Sequence, residues 1–189
     1  MQFVGAARTI LLLLCVGAAV AQPVFAQARG ALKAQIRRGE YLATFGGCSD
    51  CHTPKVMTPN GPGADTSRLL SGHRSDADPT PISMGVLKPS RWAAMTNSDL
   101  TAWAGPWGIS FSANLTPDKE TGLGNWTVEQ FTQTMRTGKH LGVGRPILPP
   151  MPWADVAVLT EQDMKALFAY LQSLKAISNK VPSPIAPPK

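Results

Sequence analysis

Cysteine is scarce in this chain. Its 189 residues include only Cys15, Cys48 and Cys51, too few for a dense disulfide scaffold. Charge is thin as well, 16% of residues against 43% hydrophobic. That leaves enough apolar side chain for a packed core and excludes a charge-rich disordered segment. No apolar run reaches the ~20 residues of a membrane-crossing helix, which excludes a polytopic membrane protein. Alternation of apolar and polar residues never persists long enough to mark a strand, and no internal repeat is present. The chain is also too short for two large domains. Glycine and proline, by contrast, are plentiful at 17 each, a loop-rich composition that stops well short of collagen.

The first stretch has the grammar of export. Arg8 precedes the apolar run Ile10–Val20, and small residues follow at Ala19, Ala21, Val24 and Ala26. A positive start, a short apolar middle and a small-x-small end match a secretory signal. As a helix, Thr9–Ala21 spans only about 20 Å at about 1.5 Å per residue, short of a ~30 Å hydrocarbon core. Residues 1–26 therefore read as a signal peptide cleaved after Ala26, with Ala21 as the second choice and an uncleaved anchor as the alternative. Cys15 falls inside this leader and reads as a passenger. Cleavage lowers the formal charge of +6 by one, the charge of Arg8. The remaining basic excess could aid docking to an acidic partner. Its Lys and Arg residues are scattered and no nucleic-acid recognition module is present, so nucleic acid is not an expected partner.

The two cysteines beyond the leader lie in Gly46-Gly47-Cys48-Ser49-Asp50-Cys51-His52. C-x-x-C-H is the attachment pattern of c-type haem. Two thiols three residues apart on one helical turn can reach two vinyl groups on one porphyrin edge, and the next residue offers its imidazole to the iron. The other imidazole nitrogen then has a backbone carbonyl as its usual acceptor, which fixes the tautomer. A dithiol oxidoreductase calls for a βαβ pattern around the motif, and none is visible. A structural zinc site needs a second Cys/His pair, which is absent. A simple disulfide remains the alternative in an oxidising compartment. With no second C-x-x-C-H in the chain, the expectation is one covalent haem on Cys48 and Cys51.

The rest of the chain reads as helices separated by long loops. Ala31–Phe45 presents Leu32, Ile36, Leu42 and Phe45 on one broad side. Gly39 is costly inside a helix and implies close approach by another helix. Thr127–Thr137 carries Val128, Phe131 and Met135 on one face. Thr160–Ser173 is the clearest helix, with Thr160 as its cap, Asp163 three residues on and a stripe of Met164, Leu167, Phe168, Leu171 and Leu174. The long segment between His52 and Asn114 is rich in Pro, Gly, Ser and Asp. Loops of that length rarely stay structureless, so short helical turns are expected near Ser90–Met95 and Ser98–Trp103. The expected fold class is thus all-α, one domain over residues 27–180. Residues 181–189 form a Pro-rich tail, extended or disordered.

A second axial ligand is sought among the methionines and the remaining histidines. Met135 and Met164 fall on helical core stripes, and Met57 is only five residues beyond His52. Met84 and Met95 lie in the long segment. Met151 sits in Leu148-Pro-Pro-Met-Pro-Trp153, outside any helix, where prolines stiffen the backbone. It is the preferred ligand, because His/Met is the usual electron-transfer pair. Met84 and Met95 stay open as alternatives. His73 and His140 are rivals for which a surface or hydrogen-bonding role is expected.

Several pieces then combine: Arg38-Gly-Glu-Tyr-Leu-Ala43, Gly47-Cys-Ser-Asp-Cys-His-Thr-Pro54, Asn114-Leu-Thr-Pro-Asp118, Thr121-Gly-Leu-Gly-Asn-Trp126, Met135-Arg-Thr-Gly138 and Pro150-Met-Pro-Trp153. Together they resemble a class I c-type cytochrome. More narrowly, they resemble the bacterial periplasmic cytochromes that serve membrane-bound dehydrogenases as electron-transfer subunits. Those subunits often carry three haem motifs where this chain has one. The resemblance covers Arg38 to about Pro184. It implies a cytochrome c fold with a single haem c, a long irregular insertion after the attachment motif, and N- and C-terminal helices crossing near Gly39 and Tyr170. It also implies that Asn114 and Trp126 line the propionate side of the haem. The function it implies is periplasmic electron transfer, from a dehydrogenase to an oxidase or another cytochrome of the respiratory chain, and it allows peripheral membrane association through a partner. The alternative is a haem enzyme or gas sensor with an open or labile sixth site. No acid/base pair that would serve one can be read from the sequence.

Overall fold

Helix α1, Ala6–Phe45, opens the computed structural model of the chain, which describes residues 6–77 and 93–187, with side chains from Phe25 onward. The apolar run Ile10–Val20 and the first expected helix are therefore parts of one continuous helix. Among the described residues, no helix is long and apolar enough to cross a membrane. The side of α1 that meets the rest of the protein is narrower than the expected one. Ala43 is buried and Leu42 packs on the core, whereas Leu32 and Phe45 are exposed.

Helix α2, Cys48–His52, is a single turn. It starts at Gly47, whose φ of 65° lies in the left-handed region and lets the chain turn sharply out of α1.

Five short strands correct the expectation of an all-α fold. Strands β1, Lys55–Thr58, and β2, Gly61–Ala64, form an antiparallel hairpin. Three more strands, β3 (Met95–Thr96), β4 (Ala102–Gly105) and β5 (Gly108–Phe111), form an antiparallel sheet in that order. Among the described residues the architecture is mixed, five α-helices with two small sheets. The strands are at most four residues long, so alternation has no length over which to show. Their signal lies in the turns. Pro59-Asn60 and Pro106-Trp107 are two-residue loops, each closed by a glycine of positive φ, Gly61 at 100° and Gly108 at 94°. An x-Pro-x-Gly sequence is turn chemistry. Thr58 adds to the first loop: Asn60 N–H donates to its Oγ1 at 3.2 Å and that hydroxyl donates to Gly61 O at 2.6 Å. The helical turn expected at Ser98–Trp103 is likewise replaced. Asn97 Oδ1 accepts from the backbone N–H groups of Thr101 and Ala102, which folds 97–101 into a turn leading into β4. The turn expected at Ser90–Met95 falls partly outside the described residues, and Met95 itself begins β3.

Helix α3, Val128–Thr137, begins with a full capping box, in which Gln130 N–H donates to Thr127 Oγ1 and Thr127 N–H donates to Gln130 Oε1. It ends at Gly138, which adopts a left-handed φ of 64°. A short helix α4, Trp153–Ala157, precedes α5, Glu161–Ser173, whose cap Thr160 Oγ1 accepts from Asp163 N–H at 3.1 Å. Met164, Leu167 and Leu171 of α5 meet Phe131 and Met135 of α3, Ala43 of α1, and Leu70 and Leu123 from loops in one core.

The α1–α5 crossing is built around Gly39. A Cβ there would collide with the carbonyl of Ala166 and with Tyr170 Cβ, so only glycine lets the helices approach this closely. Arg38 closes the contact through paired hydrogen bonds to Asp163, at 2.7 and 3.2 Å. Gly39→Leu is expected to destabilise the protein by about 1–3 kcal/mol of overpacking, outweighing the ~1 kcal/mol helix-propensity gain. Urea unfolding followed by circular dichroism measures it, and an equally stable variant would remove the crossing argument.

Candidate functional site

Burial of a polar ring needs a partner, and His52 has one. The residue is 8% exposed, and its Nδ1 lies 2.8 Å from the carbonyl oxygen of Ala113. A carbonyl only accepts, so Nδ1 carries the proton and Nε2 keeps its lone pair. Burial lowers the pKa of the imidazole and the Ala113 hydrogen bond opposes that shift. The backbone around it is pinned: Gly72 N–H donates to His52 O at 2.8 Å, and Leu70 N–H donates to the buried Thr53 Oγ1 at 2.9 Å.

Cys48 and Cys51 are unpaired and half-buried. Cys48 packs against the core, whereas Cys51 faces the same cavity as His52. Burial pushes both thiols up, and the charge of Asp50 adds to it. A dithiol redox site depends on a thiol pushed down, so this environment disfavours the oxidoreductase reading. Among the described residues, no cluster of three or more His, Cys, Asp or Glu side chains could hold a metal ion.

The cavity measures about 530 Å³. His52 and Cys51 line it from α2, and Met151 lines it from the segment before α4. Three hydrogen bonds hold that segment. Ser110 Oγ donates to Pro149 O at 2.6 Å, Ile147 N–H to Gly138 O at 2.7 Å, and Trp153 N–H to Met151 O at 2.9 Å. The Trp153 ring occupies the space that a Cβ on Gly138 would take.

The other thioethers are placed differently. Met164 is fully buried in the core, and Met135 is a core residue that also lines the cavity. Met57 is 81% exposed on β1. Met95 lies on β3, away from the cavity lining, and Met84 is outside the described residues. His73 is buried, bonded through Nδ1 to Thr101 Oγ1 and packed on Phe111. His140 is exposed at the cavity rim, edge-on to Trp126 with ring centroids 5.1 Å apart.

Asn114 and Trp126 both line the cavity, with different work to do. Asn114 is 3% exposed and its amide is fully engaged: Nδ2 donates to Thr121 Oγ1 and Ile177 O, and Oδ1 accepts from the N–H and hydroxyl of Thr116. It fastens the wall from behind and has no donor left for a ligand. Trp126 is half-buried and makes no side-chain hydrogen bond among the described residues.

One wall was not legible beforehand. The C-terminal tail, described through residue 187, is docked. Lys180 and residues 181–184 line the cavity, and Ile185 exchanges both backbone hydrogen bonds with Ile109 of β5, at 2.8 and 2.9 Å. Asn179 anchors its base, donating to the carbonyls of Ser71 and His73 and accepting from Ser75 N–H. A Pro-rich tail offers no periodicity, and the only local hint was Gly108, where a side chain would strike Ile185.

No family model matches the chain. Among curated proteins, it is 31% identical over 167 residues to the fructose dehydrogenase cytochrome subunit of Gluconobacter japonicus, covering 88% of this chain and 27% of that one. It is 31% identical over 160 residues to the cytochrome c subunit of the quinone alcohol dehydrogenase of Gluconobacter oxydans, covering 83% and 26%. The gluconate 2-dehydrogenase cytochrome c subunit of Pantoea cypripedii is 31% identical over 137 residues, covering 72% and 22%. The chain thus spans about a quarter of the length of the curated relatives it matches. With Cys51 and His52 of C-x-x-C-H and the thioether of Met151 lining one cavity, the chain carries a c-type cytochrome domain of the kind present in the cytochrome subunits of these bacterial dehydrogenases.

Proposed function

We propose that this chain is a periplasmic one-electron carrier, exported by its leader, with a single haem held by thioethers to Cys48 and Cys51 and by His52 and Met151 as axial ligands. The observation that carries the reading is that His52, its Nε2 left unprotonated by the Ala113 bond, lines the same cavity as Met151. The donor set fits the group, since an imidazole nitrogen and a thioether are the pair associated with electron transfer. When bound, haem iron supplies a one-electron couple and no group-transfer chemistry.

The chain's own residues then set the conditions. Ala113 holds the imidazole tautomer and orientation. Asn114 fastens the wall that carries Ala113. Trp126 and the tail limit contact with water, which favours the less charged, reduced state. The donor in this reading is a dehydrogenase, by analogy with the relatives, and the acceptor is an oxidase or another cytochrome of the respiratory chain. The test is a spectroelectrochemical titration of the purified, exported protein, with extraction in acid–acetone. A single one-electron wave and colour retained on the polypeptide are expected. Freely extracted haem, or more than one wave, would refute it.

The docked tail yields a further expectation. Deleting residues 181–189 removes the two backbone hydrogen bonds to Ile109 of β5, worth about 1 kcal/mol each, and one cavity wall. The truncated protein should unfold at lower urea and show a lower reduction potential, because added water favours the oxidised form. Unchanged values for both would mean that the tail is not a working wall.

A further inference from the structure

The segment Lys139–Arg145 is a closed loop that links the cavity to the surface. His140 N–H donates to Arg145 O at 2.9 Å, Gly144 N–H donates to His140 O at 2.8 Å, and Lys139 bridges Pro146. Thr137 Oγ1 ties it to α3 by donating to Gly142 O. Leu141 adopts a left-handed φ of 53°, a conformation that disfavours leucine. The loop is therefore preformed, at a conformational cost, and what it presents does not serve the core. Val143 is 87% exposed and Leu141 39%, while His140 and Arg145 line the cavity.

Its charge is one-sided. No acidic residue occurs between Glu129 and Asp155, whereas Arg136, Lys139 and Arg145 do. Arg136 is paired with Glu161. Lys139 and Arg145 form no ion pair with any described residue. Lys119 and Lys180 line the same cavity, where Glu120 is the one carboxylate among the described residues. An apolar tip between unpaired cations, at the rim of a redox site, complements an acidic surface with an apolar centre.

Resting on the electron-carrier reading, we propose that Lys139–Arg145 is the docking face for the redox partner, an acidic protein surface that receives Val143 at its centre. Only an electron crosses this contact, from partner to chain or back, and no bond is made or broken. Cations at the rim speed the encounter, and their contribution fades as salt screens them. Neither exposed apolar residue needs a partner for folding, so substitution of Val143 leaves the fold intact.

The probe is an acidic blue copper protein, used in two forms with the full haem-loaded chain. With cadmium in place of copper, amide chemical shifts should move at 139–145 and return to their free values at high salt. With copper, Lys139→Glu and Val143→Glu should each slow electron exchange at low salt, by about tenfold together, a change of ~1.4 kcal/mol in the barrier. Lys33→Glu/Arg37→Glu on exposed α1 should have little effect. Shifts centred elsewhere, or an equal loss in the α1 variant, would overturn the proposal. So would self-association in sedimentation that Val143→Glu dissolves, since the tip would then be covered by a second copy. If the carrier reading itself is wrong, the protein lacks a one-electron wave, yet the cadmium form still reports where an acidic surface binds.

Discussion

Cys48→Ala/Cys51→Ala yields a chain from which all haem leaves in acid–acetone, and each single variant yields far less coloured protein than the parent. Cys15→Ala should mature normally, because Cys15 lies outside the C-x-x-C-H motif. The two thiols occupy different settings: Cys48 packs on the core and Cys51 faces the cavity. Removing either sulfur takes away little buried surface, on the order of 1 kcal/mol at ~0.8 kcal/mol per buried methylene-sized group. The apo fold should therefore survive, as circular dichroism of the variants can check, and the lost colour reports attachment and not collapse. Free haem added to the folded double variant should stay extractable, because no thiol remains at 48 or 51 to form a thioether. Colour that stays on the double variant would defeat the thioether assignment.

What could be read beforehand was whatever a short window holds. The single turn Cys48–His52, the Thr160 cap with Asp163, and the need for a close neighbour at Gly39 each depend on residues within one or two turns. The last of these even pointed correctly to Tyr170, through the family resemblance. The strands escaped because pairing is not local and four residues give no period. Their x-Pro-x-Gly loops mark turns but do not by themselves mark strands on either side. The exposed sides of Leu32 and Phe45 escaped for another reason: α1 meets its neighbours along a strip centred on a glycine, so the apolar pattern overstated the buried face. The site divides the same way. His52 and Met151 are visible as residue types, whereas the Ala113 carbonyl that orients His52, the Ser110 hydroxyl that holds Pro149, and the Ile109–Ile185 pairing join distant positions. Asn114 lines the cavity too, and the bonds of its amide to Thr116, Thr121 and Ile177 likewise join positions that a short window does not hold together.

Met151→Ala is expected to abolish the weak red-end absorption band of the oxidised protein, which arises from a thioether bound to ferric iron. The substitution isolates the ligand because the backbone there is held independently of the side chain. Ser110 fixes Pro149, Ile147 is bonded to Gly138, and Trp153 N–H is bonded to the Met151 carbonyl itself. Prolines at 149, 150 and 152 limit the segment's freedom further. With the thioether gone, the reduction potential should fall, because a soft, neutral ligand favours ferrous iron. A drop on the order of 0.1 V or more is expected, within the ~0.8 V that axial ligands span. The variant should bind carbon monoxide when reduced, whereas the parent should bind it poorly. Ready binding by the parent would instead move the protein to the class of open-site haem enzymes and gas sensors. A Met151→Ala protein that keeps the band would transfer the ligand role, first to Met135, the other cavity-lining thioether among the described residues. Met135 sits in the core beside Phe131 and Met164, and pulling it onto iron would loosen α3. The transfer would therefore show itself as a lower midpoint in urea as well as an unchanged spectrum, and the two measurements together decide which sulfur the protein uses.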